Sequence, residues 1–332
     1  MMNRAVAWLA GMIAAFALLT CVAAANPPGH PVRIGVLGVE APSFDPAENA
    51  FARELVEGLR QLGYTKGRDC VFEYRSALGQ PEAWPAIIRE VLATKVDMVI
   101  APLTQPALEA ANATSTVPIV MVGTADPVET GIVESLAKPG RNVTGLAINA
   151  AEIAAKRVQL LQEAVPGLSK VAVLWNGNIK SMTLAFQNIE QASPRLGVTI
   201  QSVRVASSDD FEKAFTAIQT GHPGGLVVLY GPFRGNDLPR VVEFVALHKI
   251  PTVFELGRGI GGGGLMEFGP DYLPMVRRAA IYIDKIANGA NPATLPIEEP
   301  TGFQLIINLK AAKSMGIDIP QPLLLRADKI VE

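Results

Sequence analysis

Short apolar runs alternate with amphipathic stretches along most of the chain. Val32 to Gly38 is a continuous apolar run of the kind that forms a strand buried on both faces. From Ala47 to Leu62 the residues Phe51, Leu55, Val56, Leu59 and Leu62 recur at helical spacing, and Gly63 stands where a helix usually ends. The pattern then predicts strands at 71–75, 98–101 and 118–122, with helices at 81–93 and 104–113. Strands alternating with helices of this length form right-handed βαβ units around a parallel sheet.

The same order restarts further on. Lys170 to Leu174 answers Arg33 to Leu37, and Leu226 to Leu229 answers Met98 to Ala101. Ile250 to Phe254 answers Val117 to Met121, with Pro118 and Pro251 in matching places. Two copies of one topology explain this better than chance look-alikes. A third block follows: extended Leu265 to Phe268, a helix from Tyr272 to Ala287, extended Phe303 to Asn308, and a last helix from Leu309 to Met315. It is too small to stand as a domain and must pack on the other two, so the chain crosses between lobes more than once. Hinges are expected at Thr144-Gly145, near Leu265 to Gly269 and at Gly302-Phe303, where glycine can absorb a backbone rotation.

Composition narrows the class. A chain of 332 residues suggests two domains. With Lys+Arg 29 against Asp+Glu 31 there is no basic footprint for nucleic acid, and aromatics at 6% argue against base-stacking platforms. Residues 1–25 read as an export signal: Arg4 gives the positive start, Ala5 to Leu19 the apolar core, and Ala23-Ala24-Ala25 the cleavage site. Lipid anchoring through Cys21 is disfavoured, because Thr20 stands where a lipoprotein site has a small residue. Removal of the segment leaves Cys70 alone, so no disulfide within the chain is expected.

Catalytic constellations are thin. His30, His222 and His248 are scattered, with no metal-ligand partners at helical spacing, no C-x-x-C, no nucleophile elbow and no P-loop. Gly257-Arg258-Gly259-Ile260-Gly261 imitates a dinucleotide fingerprint, but an extended stretch follows where a helix should receive the pyrophosphate. Open α/β sheets bind ligands at the carboxyl ends of their strands. The loops there offer Thr104 and Asp126 from the first copy, and Asn176, Tyr230, Glu255 and Arg258 from the second. Hydroxyls, amides, two acids and a ring suit a small zwitterion. Each residue also has a plain structural role open to it: Thr104 as a helix cap, Asp126-Pro127 as a turn, Tyr230 as a core wall.

Several runs in order carry a family resemblance. They include Glu57 to Tyr64, Asp126-Pro127-Val128 through Gly140, Asn142 to Leu146, Gly263 to Pro270, Leu305 to Lys313 and Leu323 to Lys329. The chain resembles bacterial ABC-transporter substrate-binding proteins of the tryptophan/tyrosine type. It departs from them where a Gly-Thr-Pro turn is replaced by Leu103-Thr104-Gln105, of which Thr104 carries over as a candidate contact.

The resemblance implies an α/β fold of two Rossmann-like lobes with parallel sheets, joined by a three-crossover hinge, as in type I periplasmic binding proteins. The expected lobes are 32–144 with about 267–301, and 145–266 with about 302–332. The expected ligand residues are Thr104, Asp126, Asn176, Tyr230 and Glu255. The implied role is capture of an amino acid or related metabolite in the periplasm, by a monomer with no cofactor, for an inner-membrane ABC permease and its ATPase. A sensor subunit for a membrane receptor is the alternative. An exported enzyme drawing on Asp126 and Glu255 is disfavoured, since no nucleophile or base-orienting partner accompanies them.

Overall fold

The structure is a computed structural model that describes residues 30–39, 41–229, 237–257 and 259–332. Its first sheet is built by β1 (Val32–Gly38), α1 (Ala50–Gln61), β2 (Cys70–Ser76), α2 (Trp84–Ala93), β3 (Met98–Pro102), α3 (Thr104–Ala113), β4 (Ile119–Ala125) and β5 (Val143–Ile148). All five strands run parallel in the order β2-β1-β3-β4-β5. β3 and β4 are buried along their whole length. This is why they read as unbroken apolar runs: helices cover both faces of a parallel sheet.

The chain then repeats itself with α4 (Ala150–Ala164), β6 (Lys170–Asn176), α5 (Lys180–Leu196), β7 (Thr199–Val205), α6 (Phe211–Gly221), β8 (Gly225–Val228), α7 (Asp237–Leu247), β9 (Thr252–Phe254) and β10 (Met266–Pro270). The strands order as β7-β6-β8-β9-β10, the same arrangement as in the first sheet. Duplication of one topology is therefore visible in the strand order itself. The remaining elements are α8 (Tyr272–Ala287), β11 (Phe303–Asn308), α9 (Leu309–Met315), α10 (Gln321–Leu324) and β12 (Lys329–Val331). β11 joins the second sheet antiparallel to β10, and β12 extends it. The hydrophobic pattern predicts elements only as far as Met315. α10 and β12 are too short to show a period, and β12 is set by tertiary bonds such as Leu305 N–H to Asp328 Oδ2 at 2.7 Å.

Each sheet has an apolar core on both faces. Val276, Ala279, Tyr282 and Ile283 of α8 share a core with Leu55 and Leu59 of α1, so this late helix belongs to the first lobe. Leu161 and Val158 of α4 share a core with Val171, Val173 and Leu305, so α4 belongs to the second. The chain changes lobe at Asn149, at Asp271, and between Glu298 and Phe303. These three crossings are tied together. Ala147 N–H donates to the Glu298 carbonyl at 2.9 Å, and Gln304 Nε2 donates to Asp271 Oδ2 at 2.8 Å.

Gly145 lies inside β5 rather than at a crossing, with φ +129°. A Cβ there would sit 2.1 Å from the Met121 carbonyl oxygen, so glycine is required by close approach of two strands. Gly145→Ala should cost about 2–3 kcal/mol in urea unfolding, from overpacking and a backbone angle alanine disfavours. An unchanged midpoint would show that the strands can separate there freely.

Candidate functional site

Between the two lobes lies a cavity of about 120 Å³. The first lobe contributes Val39, Trp84, the start of α3 and Gly123; the second contributes Ile153, Arg157, the start of α5, Leu229 and Glu255. A larger, neighbouring cavity of about 600 Å³ runs toward Phe51, Tyr74 and Tyr272, and shares Val39, Leu103, Gly123, Ile148, Glu255 and Pro270 with the first. Gly123, at φ +68°, kinks the end of β4, and a Cβ there would lie 2.5 Å from the Tyr272 ring.

Two helices aim their N-termini at the smaller cavity, one from each lobe. α3 begins after Leu103 and α5 after Ile179, and neither helix has a side-chain cap. Thr104, Gln105 and Pro106 line the cavity from the first, and Ile179, Ser181 and Met182 from the second. Helix starts carry unsatisfied N–H groups and partial positive charge. They favour a carboxylate between them.

Arg157 sits one α4 turn beyond Ile153 and is only 5% exposed. Its Nε donates to the Phe268 carbonyl at 2.9 Å, which fixes the guanidinium in the cavity wall. Burial pushes its pKa below the ordinary arginine value, and the nearby Glu255 charge pulls the other way. Arg157 therefore adds a buried positive charge to a site where Glu255 supplies a negative one.

The glycine-rich loop after β9 is already occupied by the protein's own carboxylate. Glu267, 1% exposed on β10, accepts N–H bonds from Gly257 at 2.7 Å, Gly259 at 2.6 Å and Ile260 at 2.7 Å. These amides are spent on Glu267 rather than on a phosphate. The same clamp holds the loop that begins at Glu255.

Of the sequence candidates, Thr104 and Glu255 meet in the smaller cavity. Thr104 does not cap α3; its Oγ1 accepts the Ala125 N–H at 2.9 Å and ties the loop to β4. Asn176 accepts the Asn178 N–H at 2.9 Å and so shapes the turn into α5, whose first residues form the cavity wall. Tyr230 and Arg258 lie outside the described residues. Asp126 lines a different interlobe cavity of about 410 Å³, beside Glu129, Glu299 and Gln187.

Asp126 is 7% exposed, and its Oδ2 has no hydrogen-bond partner. Burial, then the Glu129 charge, pushes its carboxyl up to about 6; the Ala151 and Ala150 N–H groups at the start of α4 oppose this, and Glu299 adds to it. A carboxyl raised from 3.8 in the folded state holds a proton that the unfolded chain has released. That contributes stability below about pH 4, and the contribution is lost as pH rises through about 6. Asp126→Asn should therefore melt like the parent at pH 4 and above it at pH 7.5. A difference that stays constant across this range would contradict the burial account.

Two like-folded lobes, crossed three times, enclose a mixed-charge cavity, the architecture of a two-lobed ligand-binding fold. The family model for ABC transporter substrate binding proteins matches residues 36–331, and the chain belongs to that family. It is 25% identical over 286 residues to the "Tyrosine-binding protein" of Clostridioides difficile, covering 84% of this chain and 79% of that one. A conserved domain protein from Vibrio cholerae superposes with a TM-score of 0.79 at 26% identity, covering 90% of this chain and 99% of that one. A Streptococcus pneumoniae ABC domain in complex with L-Trp superposes at 0.82 with 23% identity, covering 91% and 100%. The chain is thus a substrate-binding component of ABC transport, with a small-molecule ligand and a transporter as its partners. Proteins of this family work in the periplasm or outside the cell.

Proposed function

We propose that this protein captures a free amino acid in the periplasm, as a monomer and without turnover, and delivers it to its ABC permease. The observation that carries this reading is the pair of helix N-termini, one per lobe, facing the same cavity as Arg157 and Glu255. The ligand carboxylate would lie between the starts of α3 and α5, near the Thr104 and Ser181 hydroxyls and the Arg157 charge. Thr104 Oγ1 accepts from Ala125, which leaves its own proton for a ligand oxygen. Glu255 would take the ammonium, and the apolar walls at Val39, Trp84, Ile153 and Leu229 the side chain.

A ligand held this way touches both lobes and so favours the closed form. The lobes that would move are residues 32–148 with 271–301, and 149–270 with 302–332. Asp126 and Asn176 border the crossing and the turn into α5, so their part in this reading is to place the walls. Export would remove residues 1–25, as the Arg4 start, apolar run and Ala-x-Ala site suggest.

The relative named for tyrosine binding points to the same ligand class. A thermal-shift panel of the twenty L-amino acids, with sugars and dicarboxylates as controls, tests the reading. A cognate amino acid at 100 times its Kd should add about 2.7 kcal/mol of stability. The ligand should be recovered chemically unchanged. Stabilisation by a sugar alone, or conversion of the bound amino acid, would overturn the proposal.

A further inference from the structure

Leu103 holds a backbone conformation that belongs to glycine. Its φ is 64° and its ψ 178°, a region where a Cβ crowds the chain. Such strain survives only where neighbours over-determine it, and here three bonds to β4 do so. Leu103 N–H donates to the Val122 carbonyl at 2.9 Å, the Thr124 hydroxyl donates to the Leu103 carbonyl at 3.3 Å, and Ala125 N–H donates to Thr104 Oγ1 at 2.9 Å. Glycine would satisfy the same backbone without strain. The side chain therefore has to be accounted for by what it does.

Its position supplies the answer. Leu103 lines both the cavity of about 120 Å³ that holds Arg157 and the cavity of about 600 Å³ that runs to Phe51, Tyr74 and Tyr272. The smaller compartment is of the order that holds one benzene-sized group. The larger one has aromatic walls with room for much more. Glu255 lines both compartments, so a ligand head group anchored there could send its side chain either way.

We propose that Leu103 is a size filter: its side chain partitions the cleft and keeps ligand side chains out of the aromatic compartment. The inference rests on the amino-acid reading above and adds which amino acids the site admits. With Leu103 in place the site favours aliphatic side chains, because the head group already takes part of the smaller compartment; without it the passage opens to ring-bearing side chains.

Two variants separate size from strain. Leu103→Gly removes the side chain and the strain, whereas Leu103→Ala removes most of the side chain and keeps the backbone strained. Calorimetric titration with L-Leu, L-Phe, L-Tyr and L-Trp should show the ratio of tryptophan to leucine affinity rising by about tenfold or more in both variants, a change of about 1.4 kcal/mol. The glycine variant should melt several degrees above the alanine variant. A ratio that stays within twofold of the parent's, in a parent that binds amino acids, overturns the filter. An alanine variant as stable as the glycine one overturns the strain. If the parent binds no amino acid, the amino-acid reading itself falls, and the filter with it.

Discussion

Glu255→Gln should weaken binding of the cognate amino acid by about 30-fold to several thousand-fold. The substitution keeps shape and removes charge. Loss of one partner from a desolvated charge pair costs about 2–5 kcal/mol, which converts to that range of affinity. Glu255 stands on the loop after β9 and lines both cavities, so its loss is felt wherever the ammonium sits. Arg157 is a contrasting case. Its Nε also ties α4 to β10 through the Phe268 carbonyl, so Arg157→Met should lower stability as well as affinity. Lysine there would keep the charge without the Nε–H that reaches Phe268, and should recover affinity only in part. Calorimetry paired with urea unfolding separates the two effects. An unaltered Kd in Glu255→Gln would remove Glu255 from the site.

Glu267→Ala should destabilise the second lobe by about 3–6 kcal/mol and abolish ligand binding. The carboxylate receives three N–H bonds of 2.6–2.7 Å from one loop and is almost wholly buried. Each buried N–H left without an acceptor costs about 1–3 kcal/mol, and the loop cannot turn all three to water while β9 and β10 stay paired. Glutamine would put an amide N–H₂ against one side of the same donors, so Glu267→Gln should recover part of the stability and little of the binding. Urea midpoints of the three proteins check this. If alanine costs less than about 1 kcal/mol, the loop is held by other contacts.

Much of this architecture is legible in the sequence. Val32–Gly38, Thr104–Ala113, Tyr272–Ala287 and Phe303–Asn308 have the bounds that the hydrophobic pattern gives. The start of α1 shifts from Ala47 to Asn49–Ala50 because the Asp45 side chain takes the Ala47 N–H into a turn, and Asn49 then caps the helix. Membership in the substrate-binding family is legible as well, since its matching runs are spread over the chain.

The site was harder to read. Strand ends bring Thr104 and Glu255 together, but helix starts and a mid-helix residue do the rest. No element is predicted at 150–164, so Arg157 is not among the expected site residues. A signal was present: Ile153, Ala154, Val158 and Leu161 make an apolar stripe, and Arg157 falls on it, where a charge needs a partner. Glu267 is hidden differently. Its meaning depends on a loop ten residues earlier folding back over it, which no local pattern announces. Leu103 is visible only as a missing glycine, and its backbone angle could come only from the fold.

On the proposed reading a free amino acid is held by both its charges between the lobes. Calorimetric titration of the unmodified protein with the cognate L-amino acid, its N-acetyl form and its carboxamide tests this. The expected result is one site per chain for the free amino acid, with each capped form bound at least 100-fold more weakly, because each leaves Glu255 or Arg157 without its partner. Equal affinity for the capped and free forms would contradict it.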